Sequence, residues 1–392
     1  MANMFGNNNN NTLSGTANPD NLFGRGGNDQ LFGLSGNDRL NGGVGNDLLN
    51  GGLGIDTADY SNGSVAGQSF IGATAGVTVN LNLMGAQNTG GAGLDRLVSI
   101  ENLTGTPFND TLTGNAANNV LQGLAGNDML KGGNGNDRLN GGAGIDTASY
   151  ATATSGVAVS LDINIDNVVE GQGNGGGGSD TLVSIENLTG SKFNDELRGV
   201  GAQFTLNGEA GNDVLLLGLA DNSTLNGGAG NDELLVRDSS AVLNGGDGND
   251  ILSSTSRGVV HTYHSTMNGG AGADILWDDP EVDDETTFAY HLISDSPTGA
   301  GRDKINGFEG NGVEKEDRID LRDIDANALV AGNQAFTYIG SAAFTAAGQL
   351  RYSGGILSGS TDADTAAEIE IQLIGAPKLF VNPASAGTDI LL

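Results

Sequence analysis

A nine-residue phrase that recurs along the chain is the feature that most limits what this sequence can fold into. Residues 42–50 read GGVGNDLLN, and close copies stand at 132–140 (GGNGNDRLN) and 245–253 (GGDGNDILS). The consensus is G-G-x-G-x-D-x-U-x, where U is a large apolar residue. A fixed short period of this kind is typical of solenoids, in which each repeat is one structural unit stacked on the next.

Each recurring residue type in the phrase has a physical reason. Glycines reach positive φ without a Cβ clash, so six residues can form a tight loop that turns its carbonyl oxygens toward one point. The Asp adds a carboxylate there, and calcium is a hard cation that prefers about six to eight oxygen ligands. The x-U-x residues are extended, with U alone pointing inward. The phrase therefore predicts a cation-binding loop followed by a short core strand.

The phrase resembles the calcium-binding nonapeptide of the RTX family of secreted proteins. This resemblance implies an all-β chain, in which two nonapeptides form one coil and the coils stack into a right-handed parallel β-roll, or β-helix solenoid, that binds Ca²⁺. The regular apolar residues argue against a disordered Gly- and Asn-rich linker. The predicted core column includes Leu22, Leu31, Leu40, Leu49, Leu112, Leu121, Leu130 and Leu139.

The Asp residues of the repeats are the candidate metal ligands: Asp20, Asp29, Asp38, Asp47, Asp56, Asp110, Asp128, Asp137, Asp146, Asp195, Asp213, Asp232, Asp250 and Asp274. Residues one coil apart should lie above one another, so that one ion sits between two loops of the same side. The expected pairs are Asp29 with Asp47, Asp38 with Asp56, Asp110 with Asp128, and Asp128 with Asp146. At Asn119 an amide replaces the carboxylate, which predicts a weaker site between Asn119 and Asp137.

The composition excludes several classes of function. A net charge of −32, from 48 acidic and 16 basic residues, argues against a nucleic-acid partner, because phosphate contacts need a basic face. The chain has no Cys, so disulfides and thiol chemistry are absent. Its first residues, MANMFGNNNNN, lack the basic and apolar regions of a Sec signal. The longest apolar run, residues 214–217, is too short to span a bilayer.

The repeats divide the chain into five segments. We expect a disordered lead (1–14), two β-roll blocks with insert coils (15–104 and 105–189), a third β-roll block (190–277) and a β-rich C-terminal module (278–392). The first two blocks repeat a longer unit of about ninety residues, and each closes on a related D-x-L-V-S-I-E-N-L-T-G segment. We expect the inserts, 61–98 and 151–182, to stack on the solenoid as wider coils.

The third block keeps its Asp in every second repeat only. The intervening repeats carry Phe204, Ser223 and Ala241 at the Asp position, although their inward Leu residues remain. We therefore expect one side of this roll to bind calcium and the other side to be purely structural.

The C-terminal segment is similar to the C-terminal domain of serralysin-type secreted metalloproteases. The motifs that carry this resemblance include residues 301–308 (GRDKINGF), 316–325 (EDRIDLRDID) and 368–373 (EIEIQL). The resemblance implies that the final DILL, residues 389–392, is part of a type I secretion signal. The acidic stretch 362–368 lacks the Gly and Asn of the related loop, which argues against calcium there.

No catalytic motif accompanies the repeats. A serralysin-type zinc site needs H-E-x-x-H, and none of His261, His264 and His291 is followed by Glu. His261 and His264 could offer two ligands to a metal ion, but we favour the interpretation that they are two surface histidines in a loop. Neither G-x-S-x-G nor a phosphate-binding loop is present. We predict that the chain is not an enzyme.

Three hypotheses for function follow. The leading one is a non-catalytic extracellular protein that leaves through the type I secretion machinery, folds on binding calcium, and serves adhesion or surface and matrix assembly, with cell-surface or extracellular polysaccharide as a partner. The second is a polysaccharide epimerase or lyase with its site in the insert coils. The third is a secretion module separated from a catalytic partner.

Overall fold

The computed structural model shows an all-β protein built almost entirely from parallel sheets. The only helical elements in the described part of the chain are two 3-10 turns, Ile293–Asp295 and Gly299–Gly301. No described helix is long and apolar enough to cross a membrane. The chain forms two compact units, Met1–Ser191 and Lys192–Leu392, which we call the first roll and the second roll. The structure describes residues 1–163, 169–175, 178–201, 203–255, 263–279, 285–310, 317–382 and 387–392.

The first roll is a series of short strands, each following a tight loop. Its opening strands are β1 (Asn3–Phe5), β2 (Thr12–Ser14), β3 (Asn21–Phe23), β4 (Gln30–Ser35), β5 (Arg39–Asn41), β6 (Leu48–Leu53) and β7 (Thr57–Asp59). The first insert contains β8 (Gly63–Val65), β9 (Gln68–Phe70), β10 (Thr78–Asn80), β11 (Gln87–Asn88) and β12 (Leu94–Val98). The remainder comprises β13 (Asn102–Thr104), β14 (Thr111–Thr113), β15 (Val120–Ala125), β16 (Met129–Lys131), β17 (Arg138–Ala143), β18 (Thr147–Ser149), β19 (Val157–Ile163), β20 (Val169–Gly175), β21 (Gly178–Val183) and β22 (Asn187–Thr189).

Strands one coil apart pair in parallel and in register. On one face β1, β3, β5 and β7 are neighbours, and the series continues through β13, β15, β17 and β21. On the other face β2, β4, β6 and β12 are neighbours, and β10, β14, β16, β18 and β22 form a second series. Leu22 pairs with Leu40, and Leu31 with Leu49, and all four side chains are buried. The predicted leucine column and the parallel β-roll are thus both confirmed.

The expectation of a disordered lead at residues 1–14 was wrong. Strand β1 pairs with β3 and β2 pairs with β4, so these residues form the first coil of the roll. The backbone N–H of Asn11 donates to Asp29 Oδ1 at 2.6 Å, and that of Ala2 donates to Asp20 Oδ1. The Asn-rich segment serves as a loop because Asn adopts turn conformations and hydrogen-bonds its own backbone.

The inserts stack on the solenoid, as we expected, through parallel pairs of β10 with β14, β12 with β6 and β21 with β17, but they also contain hairpins. In the first insert β8 pairs antiparallel with β9, and β11 pairs antiparallel with β12. In the second insert β19, β20 and β21 form an antiparallel sheet. Short turns between alternating apolar residues favour hairpins, which pair their own strands and leave the solenoid register to resume afterwards.

The second roll has longer strands than the first. They are β23 (Glu196–Val200), β24 (Thr205–Ala210), β25 (Val214–Gly218), β26 (Ser223–Ala229), β27 (Glu233–Arg237), β28 (Ala241–Asp247), β29 (Ile251–Thr255), β30 (His264–Ala271), β31 (Ile275–Trp277), β32 (Glu285–Ala289), β33 (Asp303–Asn306), β34 (Arg318–Asp320), β35 (Thr337–Tyr338), β36 (Gln349–Ser353), β37 (Ile356–Ser360), β38 (Ile369–Leu373) and β39 (Ile390–Leu391).

The parallel stack of the second roll does not stop at residue 278. Strand β33 pairs in parallel with β31, β32 pairs with β30 and β34, and β39 pairs with β34. An antiparallel edge of β36, β37 and β38 joins through β38 to β33. The segment 278–392, which we expected as a module after an acidic link, therefore continues the sheets of the roll. Residues 280–284 of that link lie outside the described residues.

Candidate metal centre

The repeat Asp residues form ladders that run along the rolls. The backbone N–H of Asp29 donates to Asp47 Oδ1 at 2.8 Å, and that of Asp38 donates to Asp56 Oδ1 at 2.7 Å. The same bond joins Asp110 to Asp128. It also joins Asp20 to Asp38, Asp128 to Asp146, Asp195 to Asp213, Asp213 to Asp232, Asp232 to Asp250, and Asp250 to Asp274. The structure thus brings together, one coil apart, the four carboxylate pairs that the sequence predicts.

The second carboxylate oxygen of most ladder residues is buried without a hydrogen-bond partner. This holds for Oδ2 of Asp29, Asp38, Asp47, Asp56, Asp128, Asp137, Asp146, Asp213, Asp232, Asp250 and Asp274. Buried polar atoms in proteins are nearly always satisfied, so a repeated orphan oxygen indicates an ion or ligand at each position. The orphan oxygens therefore mark the candidate sites.

The first glycine of each repeat has no Cβ, and this allows the orphan oxygen to approach its backbone closely. A Cβ built on Gly33 would overlap Asp38 Oδ2 and would lie 2.5 Å from the Gly51 carbonyl oxygen of the next coil. A Cβ on Gly208 would meet Asp213 Oδ2 and the Gly227 carbonyl oxygen in the same way. Carboxylate and carbonyl oxygens from two successive loops thus converge on one space, which is the donor chemistry that calcium prefers.

Burial of these carboxylates opposes their charge. Desolvation, with a smaller contribution from neighbouring carboxylates, raises the pKa of Asp47, Asp128 and Asp213 to about 7. The same causes raise the pKa of Asp250 to about 6 and that of Asp274 to about 7. A nearby cation favours the ionised form of a carboxylate, so a bound divalent ion would offset this penalty.

Three of the predicted ligands, Asp20, Asp110 and Asp195, are not among those with a buried Oδ2 that lacks a partner. Asp20 Oδ2 accepts hydrogen bonds from both the backbone N–H and the hydroxyl of Thr16. Asp110 Oδ2 likewise accepts the backbone N–H of Thr106. The Ala2 N–H bond to Asp20 Oδ1, followed by the Thr16 bonds, lowers the pKa of Asp20. Asp20 and Asp110 are therefore poorer cation ligands than their neighbours.

Asn119 introduces a donor into its ladder. Its backbone N–H donates to Asp137 Oδ1, as in the other coils, but its side-chain Nδ2 donates to the Glu101 carbonyl at 2.6 Å. Its Oδ1 accepts the Asn115 N–H. A neutral amide supplies fewer oxygen ligands and less charge than a carboxylate, which supports the prediction of a weaker site here.

A second ladder, made by Asn residues, was not predicted from the sequence. The Asn28 N–H donates to Asn10 Oδ1, and the Asn46 N–H donates to Asn28 Oδ1. Similar bonds join Asn127 to Asn109 and Asn231 to Asn212. The N–H of each Asn bonds backward along the chain, whereas the N–H of each Asp bonds forward. The two ladders together tie each loop to both neighbouring coils.

Three ladder carboxylates follow interruptions of the repeat and were also missed. Asp47 donates its N–H to Asp95 Oδ1, Asp137 to Asp180 Oδ1, and Asp274 to Asp303 Oδ1. A buried tyrosine accompanies each of the three: Tyr60, Tyr150 and Tyr290. Desolvation, followed by the charge of Asp274, raises the pKa of Asp303 to about 9. The signal available in the sequence was the Tyr that ends each GID-T-A-x-Y segment before the first two inserts.

The other metal candidates have different surroundings. His261 lies outside the described residues, and His264 Nδ1 lies 3.0 Å from Glu285 Oε2. Asp362, Asp364 and Glu368 bring ligand atoms within 4.8 Å of one another, and no other such acidic or histidine group occurs in the described chain. The backbone N–H groups of Thr361 and Asp364 already bond to oxygens of this cluster. Internal hydrogen bonds of this loop account for its geometry.

Comparison with known proteins agrees with the ladder geometry. No curated protein matches the chain. The family model described as RTX calcium-binding nonapeptide repeat (4 copies) matches residues 5–40, 26–58, 100–130, 113–148, 215–237 and 241–255. These ranges contain most of the Asp ladder described above. The matched segments of this chain are RTX calcium-binding nonapeptide repeats.

Proposed function

We propose that this protein is a non-catalytic extracellular protein whose folding depends on calcium, which it meets after export through a type I secretion system. The observation that carries the proposal is the row of buried carboxylate oxygens without hydrogen-bond partners. Their position between successive loops, together with the RTX repeats, supports calcium as the ion that they hold.

The carboxylates would make folding unfavourable in the absence of the ion. The chain carries a net charge of −32, and the ladders place acidic groups one coil apart in a desolvated setting. Like charges at this spacing oppose compaction. Bound calcium supplies two positive charges at each site, while the Asp side chains and loop carbonyls position its oxygen shell.

The expected energies are large enough for a folding switch. Extracellular calcium modules have dissociation constants of about 10⁻⁴–10⁻³ M, far above cytosolic calcium. At about tenfold excess over the dissociation constant, each site adds roughly 1.4 kcal/mol by mass action. About ten sites would contribute on the order of 10 kcal/mol, which is comparable to the stability of a whole domain.

The C-terminal segment fits export before folding. Ile390 is fully buried, and strand β39 pairs with β34 within the second roll. Asp389 is also buried; its backbone N–H donates to the Phe380 carbonyl, and its Oδ2 accepts the Phe380 N–H. A secretion apparatus that reads residues 389–392 would therefore need the unfolded chain, which low cytosolic calcium would maintain. Outside the cell, we propose adhesion or surface and matrix assembly on extracellular polysaccharide as the use of the folded rolls.

Far-ultraviolet circular dichroism of the full chain during a calcium titration tests the folding proposal. We expect a coil-to-β transition between chelator and about 10 mM calcium, with no equivalent transition in magnesium, which demands stricter octahedral geometry. A chain that is already folded in chelator, with no thermal shift on adding calcium, would overturn the proposal.

A further inference from the structure

A three-residue return, S-I-E, re-enters the ladder after each insert of the first roll. Strand β7 precedes the first insert, and Ser99-Ile100-Glu101 brings the chain back beside it. The Asp56 N–H, which in a regular coil would donate to the next Asp, donates instead to Glu101 Oε2 at 2.8 Å. The backbone N–H groups of Glu101 and Asn102 both bond to the Asp56 carbonyl. Glu101 thus takes the ladder position of an Asp.

The oxygens at this return converge as they do in a regular repeat. A Cβ on Gly51 would overlap both Asp56 Oδ2 and the Ser99 carbonyl oxygen. In the preceding coil the corresponding Cβ, on Gly33, meets Asp38 Oδ2 and the Gly51 carbonyl. The Ser99 carbonyl therefore replaces the carbonyl of a repeat glycine, and its backbone reaches this position with a φ of 49°.

The Asp56 side chain points to a ligand at this place. Asp56 is fully buried, its Oδ1 accepts the Asp38 N–H, and its Oδ2 has no hydrogen-bond partner. The Ile100 side chain between Ser99 and Glu101 is also buried, which fixes the return against the core. The unpaired oxygen thus faces a preformed set of oxygens.

The second insert ends in the same arrangement. Asp146 donates its N–H to Glu186 Oε2 at 2.8 Å, and Asp146 Oδ2 is buried without a partner. A Cβ on Gly141 would overlap Asp146 Oδ2 and the Ser184 carbonyl oxygen. Ser184 has a φ of 50°, nearly the value of Ser99. Two inserts of different sequence therefore close on one geometry.

We propose that the two S-I-E returns complete calcium sites of their own, outside the nonapeptide consensus. In the first, the ligands include Asp56 Oδ2, the Ser99 carbonyl and the Glu101 carboxylate. The equivalent groups of Asp146, Ser184 and Glu186 form the second. This inference rests on the proposed calcium-dependent function and assigns two ligands, Glu101 and Glu186, that the repeat pattern does not contain.

Calcium binding at these two sites would control whether the inserts are ordered. Glu101 is 45 residues from Asp56, and Glu186 is 40 residues from Asp146, so each ion would close a long loop. Closing a loop of this length costs conformational entropy that local strand pairing alone must otherwise offset. The inserts should therefore become ordered in the same calcium range as the coils that flank them.

The test compares Glu101→Gln, Glu186→Gln and the double variant with the unaltered full chain. Gln keeps an oxygen that accepts the Asp N–H but removes the negative charge, so the ladder hydrogen bond remains while the cation loses a ligand. Native mass spectrometry and calorimetric titration count the bound calcium. We expect each single variant to lose one ion and the double variant to lose two. Glu209→Gln, an exposed residue of the second roll, is the matched control and should lose none.

Hydrogen exchange supplies a second readout that does not need the ion count. Calcium-dependent protection of residues 61–98 should disappear in Glu101→Gln, while the repeats before Asp56 keep theirs. Unchanged ion counts and unchanged insert protection in both variants would overturn this inference while leaving the calcium proposal intact. Absence of calcium binding in the unaltered chain would overturn both.

Discussion

The two rolls hold their coils together differently. In the first roll both sides carry acidic ladders, one through Asp38, Asp56 and Asp137, the other through Asp29 and Asp47. Among the described residues of the second roll, the repeat Asp residues form a ladder along one side. Its members are Asp195, Asp213, Asp232, Asp250, Asp274 and Asp303.

On the opposite side of the second roll, serine hydroxyls satisfy buried backbone groups beside β24 and β26. The Phe204 N–H donates to Ser223 Oγ at 3.0 Å, and the Ser223 hydroxyl donates to the Ala220 carbonyl. The Ala220 N–H donates in turn to Ser239 Oγ. A Ser Oγ thus accepts a backbone N–H of the neighbouring coil, as Asp Oδ1 does in the ladders, but it adds no buried charge. The stack itself therefore does not require an acidic ladder on both sides.

Calcium removal should have the largest effect on stability, and this effect should differ between the two rolls. In chelator the unpaired carboxylates repel one another on both sides of the first roll but on one side of the second. Hydrogen exchange of the full chain, with calcium and with chelator, should show loss of protection throughout the first roll and partial retention in β24, β26 and β28. Equal loss in both rolls would mean that the neutral side depends on the ions as strongly as the acidic side.

Neutralising one ladder residue should change stability with a sign that depends on calcium. In Asp232→Asn the amide oxygen can still accept the Asp213 N–H, but the orphan carboxylate oxygen is lost. With calcium in tenfold excess we expect a loss of about 1.4 kcal/mol for each adjoining site that empties. At the lowest calcium concentration that keeps the chain folded we expect a gain, because burial raises the pKa of Asp232 and so disfavours its charge. Thermal unfolding at both calcium concentrations measures the difference, and a loss at low calcium would contradict the ligand assignment.

The nine-residue period of the sequence predicted the features of the two rolls that follow from spacing alone. Leu residues at the U position had to form the core, and Asp residues one coil apart had to stack. The missing carboxylates at Phe204, Ser223 and Ala241 correctly indicated a side without an Asp ladder. These features depend only on spacing along the chain, which the sequence states directly.

The parts that could not be predicted depend on contacts across interruptions. Asp95 and Asp180 lie 48 and 43 residues from their ladder partners, because the insert length sets the return. The Asn ladder was not predicted because the residue before the Asp is variable in the consensus. Asn28 and Asn46 occupy this position and form a hydrogen bond between coils. The first coil was missed because its Asn-rich loop keeps only the first glycine of the repeat, Gly6, and carries Asn11 in place of the Asp.

Restoring a carboxylate at position 119 should strengthen the first roll by a smaller amount. In Asn119→Asp the Nδ2 donor to the Glu101 carbonyl is replaced by an oxygen that can face the ion. With calcium in tenfold excess, one completed site adds roughly 1.4 kcal/mol, and calorimetry should count one more ion or a tighter one. At the lowest calcium concentration that keeps the roll folded, the added charge should destabilise it. An unchanged ion count and melting temperature in calcium would show that the amide already serves as an adequate ligand.

The smallest effect on unfolding free energy should come from a substitution on the neutral side of the second roll, and it should not depend on calcium. Ser223→Ala removes the hydroxyl that accepts the Phe204 N–H and donates to the Ala220 carbonyl, all in buried surroundings. We expect a loss of about 1 kcal/mol in unfolding free energy, the same at every calcium concentration that keeps the roll folded. Ser253→Ala, at a half-buried position on β29, is the control and should change stability less. A calcium-dependent effect of Ser223→Ala would show that the neutral side also senses the ions, because hydroxyl bonding alone carries no dependence on them.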